Sequence, residues 1–324
     1  MEMLEQALKE ISVDRIRDHI ASIEGVRHPV TAPAALEKAA EYIGATLDSL
    51  GYGMSEHCFD DGGSSFSNIV ATRSGTRYPD QRVLVVAHFD TVSTSPGADD
   101  NASGVALLLE LATILRRFPL ERTIQFIAVN LEENASEGSA GTGTRGSRAL
   151  ARCAKENAWD IECVVVLESV AFACDADIQK APAGIPVGAI PERADFIAVV
   201  GNENSKELVQ GFCQVIDRYG IALPCFPLVV PGNGELLPDT RRSDHAPFWD
   251  RGYKAVMLTD TTNFRNVHYH QPSDTSETLN LEFAAKVCRA TGAMVIELAG
   301  CCNHSLRTTD GDALLPAEGA GCSA

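Results

Sequence analysis

Acids and imidazoles recur in short clusters along this sequence: His88 with Asp90, Asp99 with Asp100, Glu132 with Glu133, Glu168 alone, and His268 with His270. Taken singly, each has a dull explanation, because an acid beside a strand end is most often a solvated loop residue. Taken together, they describe chemistry. Three or more carboxylates brought into one cleft repel one another unless cations are present, so their convergence implies metal. Mixed imidazole and carboxylate donors suit Zn²⁺, with Co²⁺ or Mn²⁺ as alternatives. Two dications would nearly balance three liganding carboxylates and one spare glutamate. Sites with two ions polarise a scissile carbonyl and activate a water, and an unliganded carboxylate alongside is the natural general base.

Such clustering requires elements that carry distant segments to one rim. The nearly continuous apolar run Arg82–Phe89 predicts a central strand buried on both faces, with His88 and Asp90 at its end. Thr123–Val129 and Ile161–Leu167 repeat the signature, the first ending just before Glu132 and Glu133 and the second at Glu168. Asp195–Val200 and Lys254–Thr259 read as further strands, the latter preceding His268 and His270. Helical spacing of apolar residues predicts helices over Leu36–Leu50, stopped by Gly51, and over Val105–Leu115, capped by Ser103. Two more are expected at Ser205–Tyr219 and Leu281–Leu298. Strands alternating with helices predict an α/β protein with a largely parallel sheet. In an open sheet of this class the carboxyl ends of the strands border the ligand crevice, which is where the clusters fall.

The 324 residues carry 27 Lys+Arg against 44 Asp+Glu, a formal charge of −17. That balance excludes nucleic acid and an anionic membrane surface as partners. Recurrent apolar segments and 45% hydrophobic content exclude a disordered chain. No run reaches the ~18 apolar residues of a membrane span. Met1–Gly25 is charged and amphipathic, without the apolar core of a signal peptide, and the ten cysteines include no C-x-x-C, so a reduced, cytoplasmic protein is expected. Residues 1–300 are expected to form one catalytic domain and 301–324 a disordered tail. Two long loops, Asn134–Thr144 and Asp175–Pro191, interrupt the pattern, and the first is a candidate lid over the site.

The motifs His88-Phe-Asp90, Gly97-Ala-Asp-Asp-Asn-Ala-Ser-Gly104, Glu132-Glu133, Ser243-Asp-His-Ala-Pro-Phe248 and Tyr269-His-Gln-Pro-Ser-Asp274 occur in the order seen in metallopeptidase family twenty-eight. The sequence resembles that family from roughly Ala34 to Leu298. The resemblance implies a three-layer α/β/α zinc-exopeptidase fold with two Zn²⁺ per chain. It implies that Asp100 bridges both metals, that His88 and Glu168 complete one, and that Glu133 and His270 complete the other. It makes Glu132 the base, Asp90 the acid that orients the His88 ring, and Tyr269 the group that stabilises an oxyanion. The peptide after Asp100 is often cis in such proteins.

Glu168 departs from the family's usual aspartate by one methylene, as in a subgroup of bacterial members. That subgroup shares the longer segment ending at Gly146-Ser147 and the motif Leu258-Thr-Asp-Thr-Thr-Asn-Phe-Arg265. His268 competes with His270, and the family spacing favours His270. His245 and Asp99 read as neighbours rather than ligands. Arg242 and Arg265 are candidates for gripping a substrate carboxylate through a planar fork, or else for satisfying buried carbonyls and acids. The resemblance implies a di-zinc aminopeptidase cleaving a peptide or small amide bond. Alternatives on the same fold are a glutaminyl-cyclase-like acyltransferase with one zinc and a small-molecule amidohydrolase. A non-catalytic scaffold is disfavoured, because the five ligands and Glu132 are all present.

Overall fold

Eight strands form one sheet in the order β1-β2-β4-β3-β5-β8-β6-β7, where β1 is Gly53–Asp61, β2 Ser64–Arg73, β3 Tyr78–His88, β4 Arg122–Val129, β5 Asp160–Glu168, β6 Ile197–Asn202, β7 Cys225–Val230 and β8 Ala255–Thr259. The structure is a computed structural model and describes residues 2–135, 141–186 and 188–300. The expected tail 301–324 and residues 136–140 of the Asn134–Thr144 loop lie outside the described residues. Strands β4, β3, β5 and β8 run parallel to one another, while β2 pairs antiparallel with β1 and β4, and β6 pairs antiparallel with β8 and parallel with β7, so the sheet is mixed. Because β3, β4, β5 and β8 share a direction, their carboxyl ends share a rim.

The central strands divide their side chains between two cores with the period of two that a pleated strand imposes. Val83, Val85 and Ala87 of β3 enter one apolar cluster, and Leu84 and Val86 enter the other. All five are fully buried, and burial of each larger aliphatic side chain contributes about 1.5–3 kcal/mol. The first core packs under α1 (Glu2–Lys9), α2 (Val13–Ile23), α3 (Pro33–Ser49), α4 (Gly104–Leu115), α6 (Lys206–Arg218) and α8 (Leu281–Ala299). The second packs under α5 (Arg145–Glu156) and the short α7 (Ala246–Trp249). Helices on both faces of one sheet make three layers.

Helix α4 is apolar almost all round, as its central position demands. Its one acid, Glu110, is fully buried and held by Arg15 at 2.6 Å and by the Ser12 amide at 2.8 Å. Ser103 does not cap α4 with its side chain. Its hydroxyl instead donates to the Asp99 carbonyl and accepts from the Val170 amide, so it braces the loop that carries Asp100. The hairpin β1–β2, edge strand β7 and helices α1, α2, α5 and α7 add to the elements expected from periodicity. No helix among the described residues is long and apolar enough to cross a membrane.

Candidate metal centre

Two groups of possible ligands share one residue: His88, Asp100 and Glu168 on one side, and Asp100, Glu133 and His270 on the other. The ring atom Nε2 of His88 stands 3.1 Å from Asp100 Oδ1 and 3.5 Å from Glu168 Oε2. Nε2 of His270 stands 3.1 Å from the other oxygen, Asp100 Oδ2, and 3.3 Å from Glu133 Oε1. Each oxygen of Asp100 thus belongs to a different set. His88 Nε2, His270 Nε2 and Glu133 Oε1 are buried and make no hydrogen bond of acceptable geometry. Buried polar atoms are rarely left orphaned, so three of them converging on one carboxylate call for a ligand. Donors around a tetrahedral ion with bonds of ~2.0 Å stand about 3.3 Å apart, close to the spacings here.

The strand ends deliver these groups as the sheet requires. His88 closes β3 and Glu168 closes β5, while Glu132 and Glu133 follow β4. Asp100 sits on the connection from β3 to α4, where its peptide to Asn101 is cis. Asn101 then pins the connection, donating to the Leu167 carbonyl and accepting from the amides of Gly104 and Ser169. Non-glycine residues with positive φ cluster at this rim: Leu131 at 58°, Ser169 at 47°, Thr261 at 85°, Thr262 at 47° and His270 at 60°. Such backbone costs about 1–3 kcal/mol per residue and persists where surrounding structure enforces it, commonly at functional sites.

Further residues hold the ligands in place. The His88 Nδ1–H donates to the backbone carbonyl of Asp90 at 3.2 Å, which leaves Nε2 facing Asp100 and Glu168. The Asp90 carboxylate lies 3.6 Å from that ring. Its two oxygens accept instead from the amides of Glu132 at 3.0 Å and Glu133 at 3.1 Å, so one acid steadies three functional residues. Asp274 does the same for the shared aspartate, accepting from the amides of Asp99 and Asp100. Ser243 donates to Glu168 Oε2 at 2.7 Å. Arg27, fully buried, ties the carbonyls of Ile23, Gly25, Phe89, Pro96 and Gly97 together beneath the loop. The sequence singled out neither Arg27 nor Ser243 for a role, and Asp274 entered only as the last letter of a motif.

Electrostatics follow from packing so many acids together. Burial, then repulsion from Asp100, pushes the Glu133 carboxyl up to about 7. Burial would raise Asp100 too, but His270 and His88 hold it below the usual carboxylate range. Burial opposes protonation of His270, yet Asp100 and Glu133 outweigh it and raise the ring to about 10. The chain alone therefore recruits protons onto imidazoles to balance its acids. Cations would supply that balance and displace those protons.

The remaining candidates divide. Glu132 belongs to neither ligand set, and among the described residues its carboxylate has no hydrogen-bond partner; burial, then Glu168, Glu133 and Asp244, raises it well above the ordinary range. Tyr269 stacks on the His270 ring at 3.8 Å, and burial, then Asp100 and Glu133, keeps its phenol protonated. Arg242 donates to the Tyr269 hydroxyl at 3.1 Å and to Asn263 Oδ1 at 3.0 Å. Arg265 is turned away from a substrate role: it is 2% exposed, its nitrogens donate to the carbonyls of Phe196 and Phe172, and its guanidinium lies over the Phe196 and Phe283 rings. His268 contacts Ser273 Oγ and the edge of Phe172 and joins neither ligand set. His245 donates from Nε2 to the Thr240 carbonyl and packs against Trp249, and burial lowers it to about 4. Asp99 accepts from the Ala171 amide and from Asn266 beneath the site.

The model of a known family, Peptidase family M28, matches residues 68–295, a span that contains both ligand sets. The chain belongs to peptidase family M28. Membership makes it a metallopeptidase-family hydrolase with the expected three-layer fold. Among relatives, the Escherichia coli protein YfbL, itself uncharacterised, is 29% identical over 291 residues, covering 86% of each chain. A Pyricularia oryzae relative described as a probable zinc metalloprotease is 28% identical over 72% of this chain, which spans about half of that protein's length. Among solved structures, the Legionella pneumophila LapA aminopeptidase superposes with a TM-score of 0.69 at 20% identity, covering 92% of this chain and 72% of that one. A Porphyromonas gingivalis glutaminyl cyclase superposes with a TM-score of 0.68 at 20% identity, covering 89% and 99% respectively. At these identities the two structures speak for the fold.

Proposed function

We propose that the chain is a two-metal, zinc-dependent exopeptidase that removes an N-terminal residue from a peptide or cleaves a small amide. The observation that carries this reading is the single buried Asp100 whose two oxygens face two different ligand sets, with the unliganded Glu132 beside them. His88, Asp100 and Glu168 would hold one ion, and Asp100, Glu133 and His270 the other. A pair of Zn²⁺ ions held by these residues would supply Lewis acidity toward the scissile carbonyl and toward a water. Glu132 takes the proton of the attacking water and returns it to the leaving amine; its oxygens are free to do so, and Asp90 fixes its backbone. The protonated Tyr269 hydroxyl donates to the oxygen on which charge develops, and Arg242 braces that hydroxyl.

The near full-length match to a glutaminyl cyclase favours a second reading, an acyltransferase that needs one zinc. Retention of both ligand sets supports the hydrolase over it. A screen of aminoacyl amides, dipeptides, N-acyl amino acids and N-terminal glutaminyl peptides, each with Zn²⁺, Co²⁺ or Mn²⁺ added, tests the choice. Release of N-terminal residues is expected. Cyclisation of glutaminyl peptides without hydrolysis of the others would refute the exopeptidase reading.

A further inference from the structure

Two pockets meet at the ligand sets, and their walls differ. One is largely apolar, lined by Ile185, Ile190, Phe226, Leu228, Met257 and Phe264, with Glu168 also in its lining. The other is polar, has Glu132, Glu133 and His270 on its floor, and carries Arg148, Arg241 and Arg242 on its wall. Arg242 and Tyr269 line both. A base that protonates the leaving amine must face the leaving group, so Glu132 marks the polar pocket as the leaving-group side.

Three guanidinium groups on that side are unexpected in a chain of net charge −17. Arg241 is already neutralised, bound through one nitrogen to both oxygens of Asp250 at 2.8 and 3.0 Å. Arg148 donates to Thr144 Oγ1 and to the Gly141 carbonyl. Arg242 hydrogen-bonds two neutral oxygens, those of Asn263 and Tyr269, and its only ion pair among the described residues is a long one with Asp239 at 3.7 Å, beyond hydrogen-bond distance. A guanidinium has five N–H donors, so Arg242 keeps several for a ligand. Its side chain is 43% exposed, and its bond to Tyr269 holds the fork beside the hydroxyl assigned above to the developing oxyanion.

Resting on the exopeptidase reading above, we infer that Arg242 is a specificity residue that grips the free α-carboxylate of a short peptide's leaving residue, so that dipeptides with an unblocked C-terminus are the preferred substrates. A bidentate Arg–carboxylate pair is geometrically selective and exceeds a neutral hydrogen bond in strength. Blocking the carboxylate as an amide removes the charge and one acceptor while leaving the scissile bond unchanged.

The test compares a dipeptide bearing an apolar N-terminal residue with its C-terminal amide on the metal-loaded full chain. The free acid is expected to show a kcat/KM about ten- to hundred-fold above the amide, the range of a charge-assisted hydrogen bond. In Arg242→Gln that ratio is expected to fall to about one, even though loss of the contact to Tyr269 lowers turnover on both. Calorimetric titration of the two ligands into metal-loaded Glu132→Gln gives a readout without turnover: the acid should bind about tenfold or more tightly, and Glu132→Gln/Arg242→Gln should lose the difference. A ratio of one or below in the parent, or a ratio that survives Arg242→Gln, overturns the inference. Selective binding of the acid with no hydrolysis of either ligand would leave the carboxylate anchor standing and sink the exopeptidase reading instead.

Discussion

Glu132 and Glu133 are adjacent in sequence and share one anchor, Asp90, yet their side chains face different tasks. Glu133 has an orphaned oxygen 3.3 Å from His270, while Glu132 stands outside both ligand sets. Glu132→Gln is therefore expected to retain its metals while kcat drops by about 10²–10⁴, the range for loss of a general base. Metal analysis of the variant beside its steady-state kinetics checks this; turnover near the parent level would remove Glu132 from the role. Asp90→Ala leaves two buried amides without acceptors and should weaken metal binding by about 10–100-fold, measured by competition with a chelating dye. His245 offers a separate pH test. Its ring is lowered to about 4 by burial, against ~6.5 unfolded, so between those values the unfolded chain binds more protons. Stability should then fall as pH drops from ~6.5 to ~4, by up to about 3 kcal/mol from this residue. Urea unfolding across that range should show a shallower loss in His245→Gln than in the parent; an equal slope would contradict the assignment.

At the scale of elements, the loop between β3 and α4 decides whether the site forms. Gly104 begins α4 where an added Cβ would lie 2.3 Å from Asn101 Oδ1 and 2.7 Å from the Leu167 carbonyl. Neither can move away easily, because Asn101 Oδ1 already accepts from Gly104 and Ser169, and Leu167 belongs to β5. Gly104→Ala should cost about 1–3 kcal/mol of stability and weaken metal binding as Asp100 shifts. Urea denaturation and metal titration report the two effects, and a variant with unchanged values in both would show that this approach is not needed. The buried strands were legible because β3, β4, β5 and β8 are apolar on both faces. The hairpin β1–β2 was not, since β1 is largely exposed and its sequence GMSEHCFDD lacks an apolar alternation. Edge strand β7 contains Pro227 and is only partly buried, which weakens the same signal. Residues whose chemistry lies in their side-chain type, such as His88 and Asp100, were readable from order and spacing. Arg27, Ser243 and Asp274 act through particular carbonyls, amides and one carboxylate oxygen, and those partners are set only when distant loops meet.

At the scale of the whole molecule, the acidic surplus acquires structure. The solvated acids keep the chain strongly negative, while Asp100, Glu132, Glu133 and Glu168 lie buried on one rim at a cost that bound cations would relieve. Ion binding should consequently stabilise the fold as a whole. Chelation is expected to lower Tm, because a ligand present at a thousandfold its Kd contributes about 4 kcal/mol to the native state. Scanning calorimetry with and without chelator checks it, and an unchanged Tm would argue that the site is structurally silent toward metal. The central claim, two ions organised by one shared aspartate, is tested most directly by counting metal in purified, zinc-replete protein by mass spectrometry. Two zinc per chain are expected in the parent, one in Glu168→Ala or His270→Ala, and none in Asp100→Ala. A single zinc in the parent, or two retained in Asp100→Ala, would contradict the account.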